Sequence, residues 1–348
     1  MTRNVGRLDW VDAARGIGIV LVVFGHVWRG LWQADILTDA ALYAGVDAAI
    51  YLFHMPLFFL VSGMFFEKSV LRDGAIVSIL KRCESLLYPL LLWSWILAAF
   101  LLLAGSFTTR DAISPMDALL FPFPPKDIFW FLWALFVIQV FCMLLVRAST
   151  ALLVGVLILS FVATAIQPML AGTDLLGGAV ANLPFFLFGV LLTRRDLFAL
   201  KQDGQIGILG AGMFVLSLAG AVFFGLRPSP LGTLLSLVAT LGFCAMVYGF
   251  APRIPSGPMA IATYLGATSM AIYVMHIIPE AATRIGLHAL GWDAIWLQVL
   301  GGMLAGILLP LLVYEALKRL GLLRLFGLGR DRRQPAQARD GELEPRKP

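Results

Sequence analysis

Residues 8–30 read LDWVDAARGIGIVLVVFGHVWRG. At 1.5 Å of rise per residue, a helix of this length spans the roughly 30 Å hydrocarbon layer of a bilayer. Two ionisable side chains, Arg15 and His26, interrupt the apolar run. Eleven residues apart, they fall about 20° past three full helical turns, on one face and roughly 16 Å apart along the axis. Asp12, three residues before Arg15, can brace the guanidinium on that face. Ionisable groups within a lipid-length segment are costly, so function is their default reading. The plainer readings are an arginine snorkelling to the near interface and a buried, satisfied histidine.

The rest of the chain is of the same kind. Of its 348 residues 60% are hydrophobic and 14% charged, and the mean hydropathy is +0.88. A soluble domain carries about a quarter charged residues. A water-soluble globule, a disordered chain and a disulfide scaffold are excluded. Apolar segments recur at about 12–32, 48–66, 85–104, 128–146, 150–167, 176–192, 205–225, 230–250, 260–279 and 294–317. Runs this long in lipid are helices, because helices satisfy their own backbone. The expected fold is an all-α polytopic transmembrane bundle of about ten spans over residues 1–328. Residues 329–348, GRDRRQPAQARDGELEPRKP, read as a disordered basic cytoplasmic tail. Arg3 and Arg7 precede the first run as in a signal peptide. Asp9, Asp12 and Arg15 crowd its flank and no small-x-small site follows, so the run reads as a retained span. Cys83, Cys142 and Cys244 are scattered, with neither a disulfide nor a zinc spacing.

Basic residues set the expected orientation. With the N-terminus inside, twenty Lys and Arg fall in inside segments. Five fall outside: Arg29, Arg110, Lys126, Arg227 and Arg284. This positive-inside bias places both termini in the cytoplasm of a multi-pass protein of the inner (plasma) membrane. The net charge of +5 is then a property of loops and tail and does not imply nucleic acid. Trp28, Trp32, Trp130, Trp133, Trp292 and Trp296 fall near outer span ends, as interfacial anchors do. Gly302 and Gly306 read as a helix-packing pair. Gly16-x-Gly18 follows no strand and so is no nucleotide fingerprint.

The second span reads AAIYLFHMPLFFLVSGMFF, residues 48–66. His54 lies about as far from its outer end as His26 does in the first span, so the two are expected at one depth. Pro56 removes a backbone donor beside His54 and can open the helix there. Ser62 and Gly63 read mainly as a packing patch. His276 also sits near an outer end, with Glu280 one turn on. No His-x3-His spacing accompanies it, and no metal is expected. His288 reads as a solvated loop residue.

Six stretches occur in order: DAARGIGIVLVVFGH (12–26), FHMPLFFLVSGMFF (53–66), KRCESLLYPLLLW (81–93), FWFLWALF (129–136), LPFFLFGVLL (183–192) and SMAIYVMHI (269–277). Together they resemble the membrane acyltransferase 3 family, nearest its sugar O-acetylase-like branch, over about residues 8–320. The Arg-x10-His of the first span and FHMPLFF-x2-SG of the second are the specific pieces. The resemblance implies about ten helices and transfer of an acyl group, usually acetyl from cytoplasmic acetyl-CoA, to a hydroxyl of a carbohydrate or similar acceptor. It makes Arg15 and His26 the essential pair, and matches Lys81 and Arg82 to the family's cytoplasmic basic cluster. The sequence departs there, with Glu84 and Ser85 where relatives often keep bases. No hydrolase-like segment follows the last apolar run, so acceptor handling is expected within the membrane part.

The residue types suit that chemistry. A positioned imidazole can take the proton of a sugar hydroxyl as it attacks a thioester. His26 could instead accept the acyl group itself. Arg15 can hold phosphate or developing negative charge, and Lys81 and Arg82 can join it on the coenzyme. His54 is expected to face the same cavity as His26 in a supporting catalytic role. The competing reading is a secondary transporter of a polar small molecule. Against it, Asp12, Asp47, Glu280 and Glu315 mark span ends, no central position is acidic, and no half of the chain repeats.

Overall fold

The computed structural model describes residues 9–104, 113–165, 175–195, 202–224 and 230–329. Every regular element among them is helical. In chain order they are α1 (Asp9–Gln33), α2 (Ala40–Tyr51), α3 (His54–Asp73), α4 (Ala75–Arg82), α5 (Tyr88–Ala104), α6 (Pro115–Leu119), α7 (Trp130–Met143) and α8 (Thr150–Ala163). Then follow α9 (Gly177–Arg194), α10 (Gly204–Phe224), α11 (Pro230–Phe250), α12 (Ser256–Ala267), α13 (Ser269–Met275), α14 (Ile277–Ala289) and α15 (Ile295–Arg319).

Seven helical stretches are long and apolar enough to cross a membrane, and an eighth is α12 with α13, bent 59° to each other. Two shorter apolar helices cover 127–143 and 150–163. Each of the ten apolar segments in the sequence falls on one of these. The all-α membrane bundle is therefore the fold, with two of its expected spans short.

The segments between them also hold helix. Residues 33–47 contain the start of α2, whose first turn is capped by the Asp39 side chain accepting from the Leu42 amide at 2.9 Å. Residues 67–84 contain the end of α3 and all of α4, joined at Gly74 with φ of 78°. A π-turn at Cys83–Leu87 leads into α5. The tail expected over 329–348 lies outside the described residues except for Gly329.

The bundle turns apolar side chains outward, as lipid permits. Phe223 and Leu216 of α10 and Leu312 and Trp296 of α15 are exposed. Without a hydrophobic drive between helices, contact depends on small residues that let backbones approach. A Cβ on Gly63 would lie 2.0 Å from the Phe186 carbonyl oxygen, and one on Gly189 2.0 Å from that of Leu60, so α3 and α9 meet backbone to backbone. Gly16 meets Ala262 and Gly266 meets Asp12 in the same way, which locks α1 to α12. Gly302 and Gly306 receive Val27 and Val23, setting α15 against α1. One half-buried ion pair ties the far side. Arg194 of α9 donates its Nε to both Glu67 oxygens at 2.8–2.9 Å, and its other nitrogens reach the Ala148 and Val146 carbonyls. Helix α1 is the hub, packed against α2, α3 and α11 through α15.

Candidate active site

A cavity of about 350 Å³ opens around His26. Helix α1 supplies His26, Arg29 and Gln33, whose spacing of three and four puts them on one face. The break between α2 and α3 supplies Tyr51 and His54. Pro56 has no N–H to give the Leu52 carbonyl, and the Ser236 hydroxyl of α11 donates to that carbonyl instead. The helix reopens at Leu52 and Phe53, and His54 restarts it fully buried.

The His54 ring is fixed in register. Its Nδ1 lies 2.7 Å from the Ile50 carbonyl oxygen. A carbonyl can only accept, so Nδ1 carries the proton and donates, leaving the lone pair on Nε2. That Nε2 and the Tyr51 hydroxyl are buried without a hydrogen-bond partner among the described residues, and both residues line the cavity. The Tyr51 and His54 rings meet edge to face with centroids 4.5 Å apart. The Arg29 guanidinium covers the other side of Tyr51, 3.2 Å from its centroid. Asp47 holds Arg29 from both carboxylate oxygens, accepting from Nε at 2.6 Å and Nη2 at 2.9 Å. Asp127, Trp130, Tyr273, Glu280 and Arg284 complete the polar and aromatic wall. His26 itself is half-buried, its ring 5.0 Å from that of His276.

Arg15 belongs to the other end of α1. Its Nη1 donates to Asp12 at 3.3 Å, the expected brace, and its Nη2 to the Ser269 hydroxyl at 2.9 Å. The next residue, Met270, lines a second cavity of about 420 Å³, walled by Lys81, Glu84, Ser85, Arg324, Gly327 and Leu328 among others. Lys81 and Arg82 separate here, because successive helical residues point 100° apart. Lys81 faces this cavity while pairing with Asp73 at 2.7 Å. Arg82 turns into the protein, donating to the Ser78 carbonyl at 2.9 Å with its guanidinium over the Phe66 ring. The structure thus joins His26 and His54 in one cavity, sets Lys81 in the wall of the other with Arg15 bonded one residue away from that wall, and leaves Arg82 out of both walls.

Sequence reasoning passed over several wall residues. Arg29 counted only as an outside base, although it stands three residues past His26. Glu280 counted as a span end, yet it is buried at the cavity wall. Ser269 and His276, seven residues apart, are helical neighbours of one face, a spacing that was legible. Trp28 and Trp130 turn into the protein. Trp28 is buried and donates to the Tyr43 carbonyl at 3.3 Å, and Trp130 walls the cavity. Trp292 and Trp296 are exposed as anchors would be. Among the described residues no group of three or more His, Cys, Asp or Glu is placed to hold a metal ion.

Against known proteins, the family model described as an acyltransferase domain matches residues 8–315. The chain belongs to the acyltransferase 3 family. Two curated relatives carry the name nodulation protein NolL. The protein from Mesorhizobium japonicum is 31% identical over 193 residues, 53% of this chain and 47% of its own length. That from Sinorhizobium fredii is 32% identical over 123 residues, 35% of this chain and 32% of its own. The matched stretches thus span half or less of those relatives. No solved structure matches. With the family and the helices together, this is a multi-pass membrane protein.

Proposed function

We propose that the protein is an integral-membrane O-acetyltransferase. It moves acetyl from cytoplasmic acetyl-CoA, held at the Arg15 end, to a hydroxyl of a carbohydrate acceptor in the His26 cavity. The observation that carries this reading is that α1 sets His26 in the wall of one cavity and, roughly 16 Å along its axis, bonds Arg15 to Ser269, the residue before Met270 of the second cavity's wall. The elongated thioester arm of a coenzyme suits that separation. Its charged end would rest by Lys81 and Arg324, its thioester nearer His26.

The acceptor class follows from the wall. His54 Nε2 and the carboxylates of Asp127 and Glu280 accept hydrogen bonds, and Arg29 and Arg284 donate them. Aromatic faces at Trp130, Tyr273 and Phe100 provide stacking surface. A ligand with many hydroxyls and an apolar ring face matches both, and the volume is that of a small-molecule site. In the transfer, His26 takes the hydroxyl proton, and the oxygen forms a bond to the acyl carbon. The carbon–sulfur bond breaks, and the thiolate leaves to be protonated in turn from His26. His54 orients the hydroxyl, and Arg15 offsets negative charge on the donor.

The positive-inside bias supports a cytoplasmic Arg15 end and an inner-membrane location. Purified protein in vesicles is given labelled acetyl-CoA with and without oligosaccharide. Acceptor-dependent release of free thiol with label in the sugar is expected. Uptake of the sugar without acetyl transfer would replace this reading with a transporter. Cysteines at positions 39 and 72 in a cysteine-free background test the topology. An impermeant maleimide on intact cells should label 39 and spare 72.

A further inference from the structure

Helix α13 starts at the 59° bend after Ala267 and runs through His276, itself helical, into α14. Its two flanks meet the two functional residues of α1. Ser269 accepts from Arg15 at 2.9 Å, and His276 stands against His26 with ring centroids 5.0 Å apart and planes tilted 58°. His276 is fully buried. Its Nδ1 lies 2.8 Å from the Tyr273 carbonyl oxygen and 3.1 Å from that of Ile272. Both partners only accept, so Nδ1 carries the ring proton and the lone pair is on Nε2. That Nε2 is buried without a hydrogen-bond partner among the described residues. A buried acceptor left unmade is expensive, so a donor that reaches it is strongly favoured.

We infer that His276 is the positioning residue of His26: when His26 takes the acceptor proton, its second N–H donates to His276 Nε2. The rings then stand as base and orienter, with an imidazole where a catalytic triad uses a carboxylate. His276 suits the task because its own backbone fixes its tautomer. Its Nε2 lone pair is left to accept. This inference rests on the transfer reading above for its kinetics, though not for its titration.

The variants are His276→Phe, which keeps the ring and removes the acceptor, and His276→Gln, whose amide oxygen can stand near Nε2. The first measurement needs no activity: the His26 pKa by nitrogen-15 NMR of histidine-labelled protein. Arg29, Tyr51, His54, Asp127, Glu280 and Arg284 share the wall, Tyr273 lies beside His276, and all remain in both variants. From α15, Gln298 and Gly302 share a wall with His26 and Gly306 packs by His276, and none of the three carries a charge. A lost acceptor disfavours the imidazolium, so in His276→Phe the His26 pKa should fall by about one unit, with His276→Gln restoring most of it. The second measurement is transfer. In His276→Phe kcat should drop about 100-fold with both KM values within threefold, and His276→Gln should recover at least about tenfold. An unchanged His26 titration in His276→Phe overturns the inference whether or not transfer is seen. Equal kcat losses in both variants with raised KM overturn it too, as a packing effect. If His276→Phe does not fold, a His276→Gln protein with the kcat loss of a His26 deletion overturns it, and near-wild-type turnover supports it. A wild type that never transfers acetyl, with the titration shift intact, removes the proposed function and leaves the pair.

Discussion

The cavity around His26 and the cavity beside Lys81 lie toward opposite ends of α1, and they differ in what holds their polar groups. Around His26, side chains are pinned by backbone carbonyls and by each other. Ile50 fixes His54, Asp47 and Tyr51 sandwich Arg29, and helix breaks at Leu52 and Thr268 aim their neighbours inward. Beside Lys81, the wall comes from a π-turn and the turns after α15, and its cations are already paired. Lys81 holds Asp73 and Arg324 holds Glu84, the latter at 3.1 Å in an exposed pair of the kind that stabilises little. A site that must place a proton needs fixed geometry. A site that must hold and release a flexible polyanion needs exchangeable charges. On the proposed function, this contrast suits chemistry in the first cavity and donor binding in the second.

The sharpest way to break that assignment is at the two ionisable residues of α1. His26→Ala should lower kcat by about 10²–10⁴-fold while expression and acetyl-CoA affinity hold. Arg15→Ala should cost about 10²-fold or more in kcat/KM. Arg15→Lys should rescue little, because Asp12 and Ser269 are met by two different guanidinium nitrogens, a fork that an ammonium lacks. Full activity in either alanine variant removes the site. Loss of the protein from the membrane would mean that these residues serve folding.

A smaller effect is expected at His54. His54→Ala should slow transfer by about 10–100-fold, the range for one positioning or acid–base group. It should leave acetyl-CoA affinity unchanged, since the coenzyme's charged end is three helical turns away. Reduced coenzyme affinity with an unchanged rate at saturation would move His54 to the donor side and merge the two cavities into one functional unit.

How far the sequence foretold this contrast can be read residue by residue. Apolar run length foretold the bundle, because lipid permits little else. The positions of His26 and His54 within their spans pointed to one cavity, which both line. The spacing of Asp12 and Arg15 foretold their contact. What sequence could not show was direction. In helices apolar all round, the 3.6-residue period no longer separates an inward face from an outward one. Lys81 and Arg82, read as one cluster, diverge in space because successive helical residues point 100° apart. The break at Leu52 needed Ser236, 184 residues away, to complete it. The juxtaposition of His276 with His26 depends on how α13 crosses α1, which no local pattern encodes.

The smallest expected effect tests the donor cavity. Lys81 and Arg324 are each one exchangeable cation on a wall that also carries Glu84. A phosphate that displaces Asp73 or Glu84 from its partner gains a new pair and loses an old one. Each cation should therefore add only a modest net affinity. Lys81→Ala or Arg324→Ala should raise KM for acetyl-CoA about threefold, with kcat unchanged. The double variant should approach the product of the two, because the partners Asp73 and Glu84 differ. The increase should shrink as salt rises, since exposed charges are screened over about 10 Å at 0.1 M. Glu84→Gln should act in the opposite sense and lower KM, by freeing Arg324. Steady-state kinetics against acetyl-CoA at two ionic strengths decides it. A kcat loss in Lys81→Ala as large as that of His54→Ala would mean that the Lys81 cavity also orders the reacting atoms. The division between a fixed site and an exchangeable one would then fail.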